Sequence, residues 1–251
     1  MEKNIQFEIC VDSPESALAA QLGGADRVEL CDNLFEGGTT PSLGTIKTAR
    51  RLIDIKLHVI IRPRGGDFLY SDIEFETMKL DLETAKTNGV DGVVIGLLTA
   101  DGDIDKTRTA DLVSLANPMS VTFHRAFDVC RDPISALETL IDLGIDRVLT
   151  SGQQAKAVDG AALIAEMIKQ AQGGIGILAC GRIDETNVAA IVEATEATEI
   201  HFTAFEEIKS GMLFTNDRVS MGSDAAPSEY IRRVTTAEKV KRVIEAAKGN
   251  K

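Results

Sequence analysis

Gln6-Phe7-Glu8-Ile9-Cys10-Val11-Asp12 alternates strictly between polar and apolar residues, and it puts carboxylates and a thiol where a core strand is normally apolar. Successive side chains of a strand point to opposite faces. Phe7, Ile9 and Val11 therefore share one face, and Gln6, Glu8, Cys10 and Asp12 the other. Arg27-Val28-Glu29-Leu30-Cys31-Asp32 repeats the arrangement, with Val28 and Leu30 opposite Glu29 and Cys31. In an isolated hairpin this pattern would mean two half-buried strands with one solvated face. The rest of the chain argues for a different setting.

Outward from that stretch, short apolar strands alternate with amphipathic helices. Ser13-Pro14, Thr40-Pro41 and Asp132-Pro133 each put a capping side chain before a proline at the first helical position. Ser71-x-x-Glu74 and Thr235-x-x-Glu238 have the form of capping boxes. These signals predict helices over residues 14–22, 41–52, 72–87, 106–116, 133–142, 156–171, 184–194 and 236–247. Strands are expected at 5–11, 27–31, 57–62, 92–97, 120–125, 147–151, 175–179 and 199–203. Gly24-Ala25-Asp26, Gly89-Val90-Asp91 and Gly144-Ile145-Asp146 recur two units apart, each joining a helix to a strand. Strict alternation forces parallel strands with right-handed crossovers, and 251 residues holding eight units favour closure. The expected fold is α/β, a single-domain (β/α)8 TIM barrel over residues 1–251, with a long loop at about 205–230 between the last strand and the last helix.

The net charge of −12 argues against a nucleic-acid or anionic-membrane partner, which would require a basic face. Four cysteines, none spaced Cys-x-x-Cys, read as reduced thiols of a cytoplasmic protein. No basic, apolar leader is visible at the start, and the apolar runs are far shorter than the roughly 20 residues that span a bilayer.

In a closed parallel barrel one strand face lines the lumen and the other lies under helices, so polar inward residues belong near the C-terminal mouth, where sites are built. Parity then assigns Glu8, Cys10, Glu29, Cys31, His58, Ile60, Arg62, Thr122, His124, His201 and Thr203 inward, with Arg64 and Asp128 just beyond their strands. The sixth strand is less clear, though Thr150 fits. His58, early in its strand, reads as a structural residue near the barrel floor. Converging charges in an interior are costly unless paired. Glu8, Glu29, His124 and Asp128 are accordingly candidates for proton transfer. Arg62 and Arg64, beside a glycine turn, are candidate anion anchors, with Arg125, Thr150 and His201 as further substrate contacts.

Glu8-Ile9-Cys10-Val11-Asp12-Ser13, Gly23-Gly24-Ala25-Asp26-Arg27-Val28-Glu29-Leu30-Cys31, Glu36-Gly37-Gly38-Thr39-Thr40-Pro41-Ser42, Arg62-Pro63-Arg64-Gly65-Gly66-Asp67-Phe68, Thr122-Phe123-His124-Arg125-Ala126-Phe127-Asp128 and Leu149-Thr150-Ser151-Gly152-Gln153 together resemble the motifs of the CutC family, in order over nearly the whole chain. The resemblance implies a TIM barrel, a cytoplasmic location, a homodimer or larger assembly, and a role in copper homeostasis with Cu(I) binding. The positions matching that family's proposed copper-binding cysteines are Cys10 and Cys31. The chain departs from the family after strand seven, where Cys180-Gly181-Arg182-Ile183 replaces a glycine-rich turn, and after strand eight, where Thr203-Ala204-Phe205 replaces Ser-Ala-Arg. These loops form the common phosphate site of the fold, so the expectation of phosphate there is weakened.

Two functions follow as expectations. In the first, Cys10 and Cys31, on strands roughly 4.8 Å apart and at the same parity, hold Cu(I). In the second, an isomerase or lyase acts on a small anionic substrate held by Arg62 and Arg64. Glu8 and Glu29, about 6.6 Å along the strand from their cysteines, are expected to disfavour the thiolates without ligating the metal, and Arg62 to offset this by pairing with one of them.

Overall fold

The computed structural model describes residues 5–216, 218, 219, 221 and 228–249. Eight parallel strands close into a barrel in chain order: β1 (Gln6–Val11), β2 (Arg27–Leu30), β3 (Lys56–Ile60), β4 (Gly92–Ile95), β5 (Ser120–Phe123), β6 (Arg147–Thr150), β7 (Gly176–Ala179) and β8 (Glu199–Phe202). Outside them run α1 (Pro14–Leu22), α2 (Leu43–Leu52), α3 (Asp72–Thr87), α4 (Lys106–Ala116), α5 (Pro133–Asp142), α6 (Ala161–Ala171), α7 (Val188–Thr195) and α8 (Ala237–Ala247). Closure is made by β1 and β8, where Glu8 stands opposite His201. Among the described residues no helix is long and apolar enough to cross a membrane.

The main core lies between barrel and helices. Phe7, Ile9, Val28, Leu30, Leu57, Val59 and Phe123 pack outward against helix residues such as Ala17, Ile46, Met78 and Leu82. The repeated glycine–aspartate turns have a common function. Gly24, Gly89 and Gly144 take positive φ at the helix ends. Two residues on, Asp26, Asp91 and Asp146 accept hydrogen bonds from the backbone N–H groups of Phe7, Leu57 and Val121, each on the strand before. The helix returns are thereby tied to the barrel.

Several boundaries differ from the expected ones for identifiable reasons. The cap of α2 is Ser42, whose hydroxyl accepts from Thr45 N–H, while the Thr40 hydroxyl accepts from the backbone of Arg62. The cap of α8 is Thr236, because Thr235 ends a strand and donates to the Thr203 carbonyl. α6 begins at Ala161 rather than 156 and α7 at Val188 rather than 184. In the first case Gly152 packs so closely on Gly160 that a Cβ there would lie 2.3 Å from its carbonyl oxygen. The long stretch after β8 opens with β9 (Phe205–Lys209), paired antiparallel with β10 (Ile231–Thr235) as a ribbon outside the barrel. Only part of the remaining 210–230 lies within the described residues.

Candidate dithiol site and cavity at the barrel mouth

The lumen is layered. At the floor Arg27 donates from Nε to Glu8 and from Nη2 to Glu199 at 2.7 Å, and Arg147 Nε donates to the same Glu199 oxygen at 2.9 Å. Acid and base thus alternate as Glu8, Arg27, Glu199 and Arg147. His58 stands beside this chain, its Nδ1 3.9 Å from Glu8 Oε2. Burial holds the His58 imidazolium down to a pKa of about 4, so the ring is neutral near pH 7. Gly92 on the neighbouring strand makes room for it: a Cβ there would meet His58 Nε2 at 2.6 Å.

Above the floor His201 Nδ1 lies 2.8 Å from Glu8 Oε1, and its Nε2 3.7 Å from Glu29 Oε2. Burial opposes a charged ring, but hydrogen bonds to Cys10 and Glu8 and the nearby carboxylate outweigh it and raise His201 to about 10. Glu8 is pulled upward by burial, yet the Arg27 guanidinium and His201 hold it well below the usual carboxylate range. Among the described residues Glu29 has no guanidinium against it, and His201 at 3.7 Å only partly offsets its burial. Burial, and then the charge at Cys10, push its carboxyl well up.

Cys10 Sγ and Cys31 Sγ are 3.7 Å apart, both buried. The hydrogen bond from Cys31 lowers Cys10 to about 6 against the effect of burial, with help from His201. Cys31 is raised in turn, first by giving its proton to that bond and then by burial. The pair is joined by the proton of this S–H···S hydrogen bond. Glu29, in register with Cys10 across β1 and β2, completes a trio whose ligand atoms all lie within 4.8 Å of one another. For Glu29 this corrects the expectation of a carboxylate too far from the sulfurs, which considered only spacing along one strand. A trio with two sulfurs among its ligand atoms suits a soft ion better than a hard one. Glu8, Glu29 and His201 form a second group of the same compactness, but Glu8 is already engaged by Arg27.

A cavity of about 410 Å³ opens over this pair, lined among others by Cys10, Glu29, Arg62, Phe68, His124 and His201. His124 accepts from Ala126 N–H at Nδ1 (3.1 Å), so the ring proton sits on Nε2. Burial, with the Arg62 charge, lowers it to about 3. Arg125 and Asp128 also line the cavity and pair with each other at 2.6 Å.

Three expected placements are corrected. Arg64 stands outside the cavity, engaged by Glu74, Asp67 and the Leu69 carbonyl, because the Gly65-Gly66 turn directs it back along its own loop. Thr150 faces away from the lumen. In β6 the inward residues are Arg147 and Leu149, and the Thr150 hydroxyl donates to Asp128 at 2.6 Å, fixing the loop that follows. Arg62 pairs with neither Glu8 nor Glu29: its terminal nitrogens donate to the carbonyls of Glu36, Gly38 and Gly66. Sequence reasoning missed Arg27, Arg147 and Glu199. Arg27 was accessible to it, two residues before Glu29 at the same parity.

The molecule is thus a (β/α)8-barrel protein carrying two buried cysteines in mutual contact under a charged cavity at the carboxyl end of its strands. The model of the CutC family matches residues 5–206, and the chain belongs to that family. A CutC protein of Bacteroides thetaiotaomicron is 54% identical over 247 residues, 98% of this chain and 99% of its own. The copper homeostasis protein cutC homolog of Mus musculus is 51% identical, over 96% of this chain and 89% of its own. The crystal structure of a candidate copper homeostasis protein CutC from Streptococcus agalactiae superimposes with a TM-score of 0.76 at 32% identity, covering 79% of this chain and 98% of that one.

Proposed function

We propose that this chain acts in copper homeostasis by holding Cu(I) between Cys10 and Cys31, with the metal as its cargo. The observation that carries the reading is the 3.7 Å contact of the two buried sulfurs beneath a cavity that Cys10 lines. A soft cation prefers thiolate sulfur, and its uptake displaces the proton that joins the pair. His201, charged and bonded toward Cys10, stabilises the thiolate before the metal arrives and repels the cation afterwards, which favours release as well as binding. A cytoplasmic location accords with four free cysteines. Self-association into a homo-oligomer is the matching expectation for the assembly, and sedimentation of the purified chain checks it.

The test is a Cu(I) titration in competition with a chromophoric chelator, comparing wild type with the Cys10→Ser, Cys31→Ser double variant. The double variant is expected to lose the tight site. Equal affinity in the two proteins would remove the proposal.

A further inference from the structure

The dithiol leaves one feature of the cavity without a role. Arg62 is 4% exposed, and among the described residues no carboxylate lies within 4.0 Å of its guanidinium. Its terminal nitrogens are held by three neutral carbonyls, and its Nε–H has no partner. The nearby Tyr70 hydroxyl, raised by burial, does not balance the charge. A buried cation without a counter-ion is unfavourable. On the same cavity wall His124, also 4% exposed, has an Nε2–H with no partner. A buried donor left unpaired is likewise unfavourable. The two are joined by Phe68, whose ring centre is 5.1 Å from the Arg62 guanidinium carbon and 5.1 Å from the His124 ring centre.

We propose that this cavity also binds a small organic carboxylate, which accepts hydrogen bonds from Arg62 Nε–H and His124 Nε2–H. One cation and one neutral donor match a single negative charge spread over two oxygens, whereas a phosphate dianion would require further donors. The cavity, at about 410 Å³, is within the size range of small-ligand sites. Phe68, half-buried against both donors, forms an apolar wall for the carbon skeleton and turns aside as the carboxylate enters. Fixed by carbonyls on both terminal nitrogens, the guanidinium itself needs no further ordering once Phe68 moves off its Nε edge, and this preorganisation favours binding. The site does not depend on copper, since neither donor belongs to the dithiol.

The experiment titrates the copper-free, full-length chain with sodium pyruvate, sodium acetate and, separately, inorganic phosphate, following the nitrogen resonance of His124 Nε2 and the heat of binding. Pyruvate and acetate are expected to bind saturably and to shift that resonance. Arg62→Met and His124→Gln are each expected to weaken pyruvate binding by about tenfold or more, with Arg62→Lys retaining part of it. Cys10→Ser, Cys31→Ser is expected to leave pyruvate affinity unchanged. His124→Gln keeps the loop carbonyls of Arg62 engaged, so it remains informative if Arg62→Met does not fold. Phosphate binding tighter than pyruvate, no saturation by either carboxylate, or affinity unaltered in folded His124→Gln overturns the assignment. Loss of copper binding with retained carboxylate binding separates the two sites.

Discussion

Glu8 joins both layers of the lumen: it accepts from Arg27, bonds His201 at 2.8 Å and faces His58 at 3.9 Å. Glu8→Gln leaves two buried cations short of their counter-charge, and a loss of about 3–5 kcal/mol is expected in urea unfolding. A loss below about 1 kcal/mol would mean that solvent reaches this layer. His58 makes an opposite kind of contribution. Its folded pKa, about 4, lies below the ordinary 6.5. The unfolded chain therefore takes up this proton first as acid is added, and stability present above pH 6.5 is lost between about 6.5 and 4, by roughly 3 kcal/mol at most for this ring. His58→Gln should flatten that acid limb when unfolding free energies are compared at the two pH values, and an unchanged slope would show that His58 is not the group titrating. For the dithiol, Cu(I) uptake displaces the proton that Cys31 retains and, below about pH 6, a second one from Cys10. Affinity is therefore expected to rise from pH 5 to pH 8, most steeply below about 6, where both protons compete for sulfur. Chelator competition between pH 5 and pH 8 reads this directly.

Among the elements, β4 makes room for two lumen rings, with Gly92 at its start under His58 and Gly96, the residue after its end, against His124. A Cβ at Gly96 would lie 2.2 Å from His124 Cε1, and both contacts are with rings held in place by packing. Gly96→Ala is expected to lose about 1–3 kcal/mol through overpacking and to displace the His124 ring. Gly211→Ala, where nothing lies within 4 Å, should change stability little. A thermal unfolding series of the two variants decides between crowding and a general intolerance of glycine replacement. Much of the element layout was legible beforehand because caps act locally. Ser13, Ser71 and Asp132 accept from backbone groups two or three residues on, and the Ser71–Glu74 capping box is present in full. Thr40 and Thr235 have the right chemistry for caps but are drawn instead to the Arg62 backbone and the Thr203 carbonyl, partners that only the packed barrel supplies.

For the whole molecule, the proposed holding of Cu(I) between Cys10 and Cys31 would link copper to global stability, because the two sulfurs sit on neighbouring strands of a closed sheet. With free Cu(I) at a hundredfold its dissociation constant, binding adds about 2.7 kcal/mol, which in a chain of this length raises the unfolding temperature by roughly 5–10 °C. Calorimetry should show that rise in wild type and not in Cys10→Ser, Cys31→Ser; a rise in both would locate copper elsewhere. The eightfold alternation, the direction of the strands and the inward parity of Glu8, Cys10, Glu29, Cys31, His124 and His201 follow from local pattern, since side-chain period and capping depend on residues a few positions apart. The ribbon of β9 and β10 was not legible, because its partners are separated by more than twenty residues of irregular sequence. Nor were the floor ring of Arg27, Glu199 and Arg147, the diversion of Arg64 and Thr150, or the uncompensated charge of Arg62. Which carboxylate meets which guanidinium is decided by the stagger of eight strands around a closed barrel and by loops that fold over its mouth. The sequence by itself determined that Glu8, Cys10, Glu29, Cys31, His124 and His201 enter the lumen; only the tertiary structure added Arg27, Glu199 and Arg147 to them and decided how they pair, because pairing across a barrel depends on closure distances that no local spacing encodes.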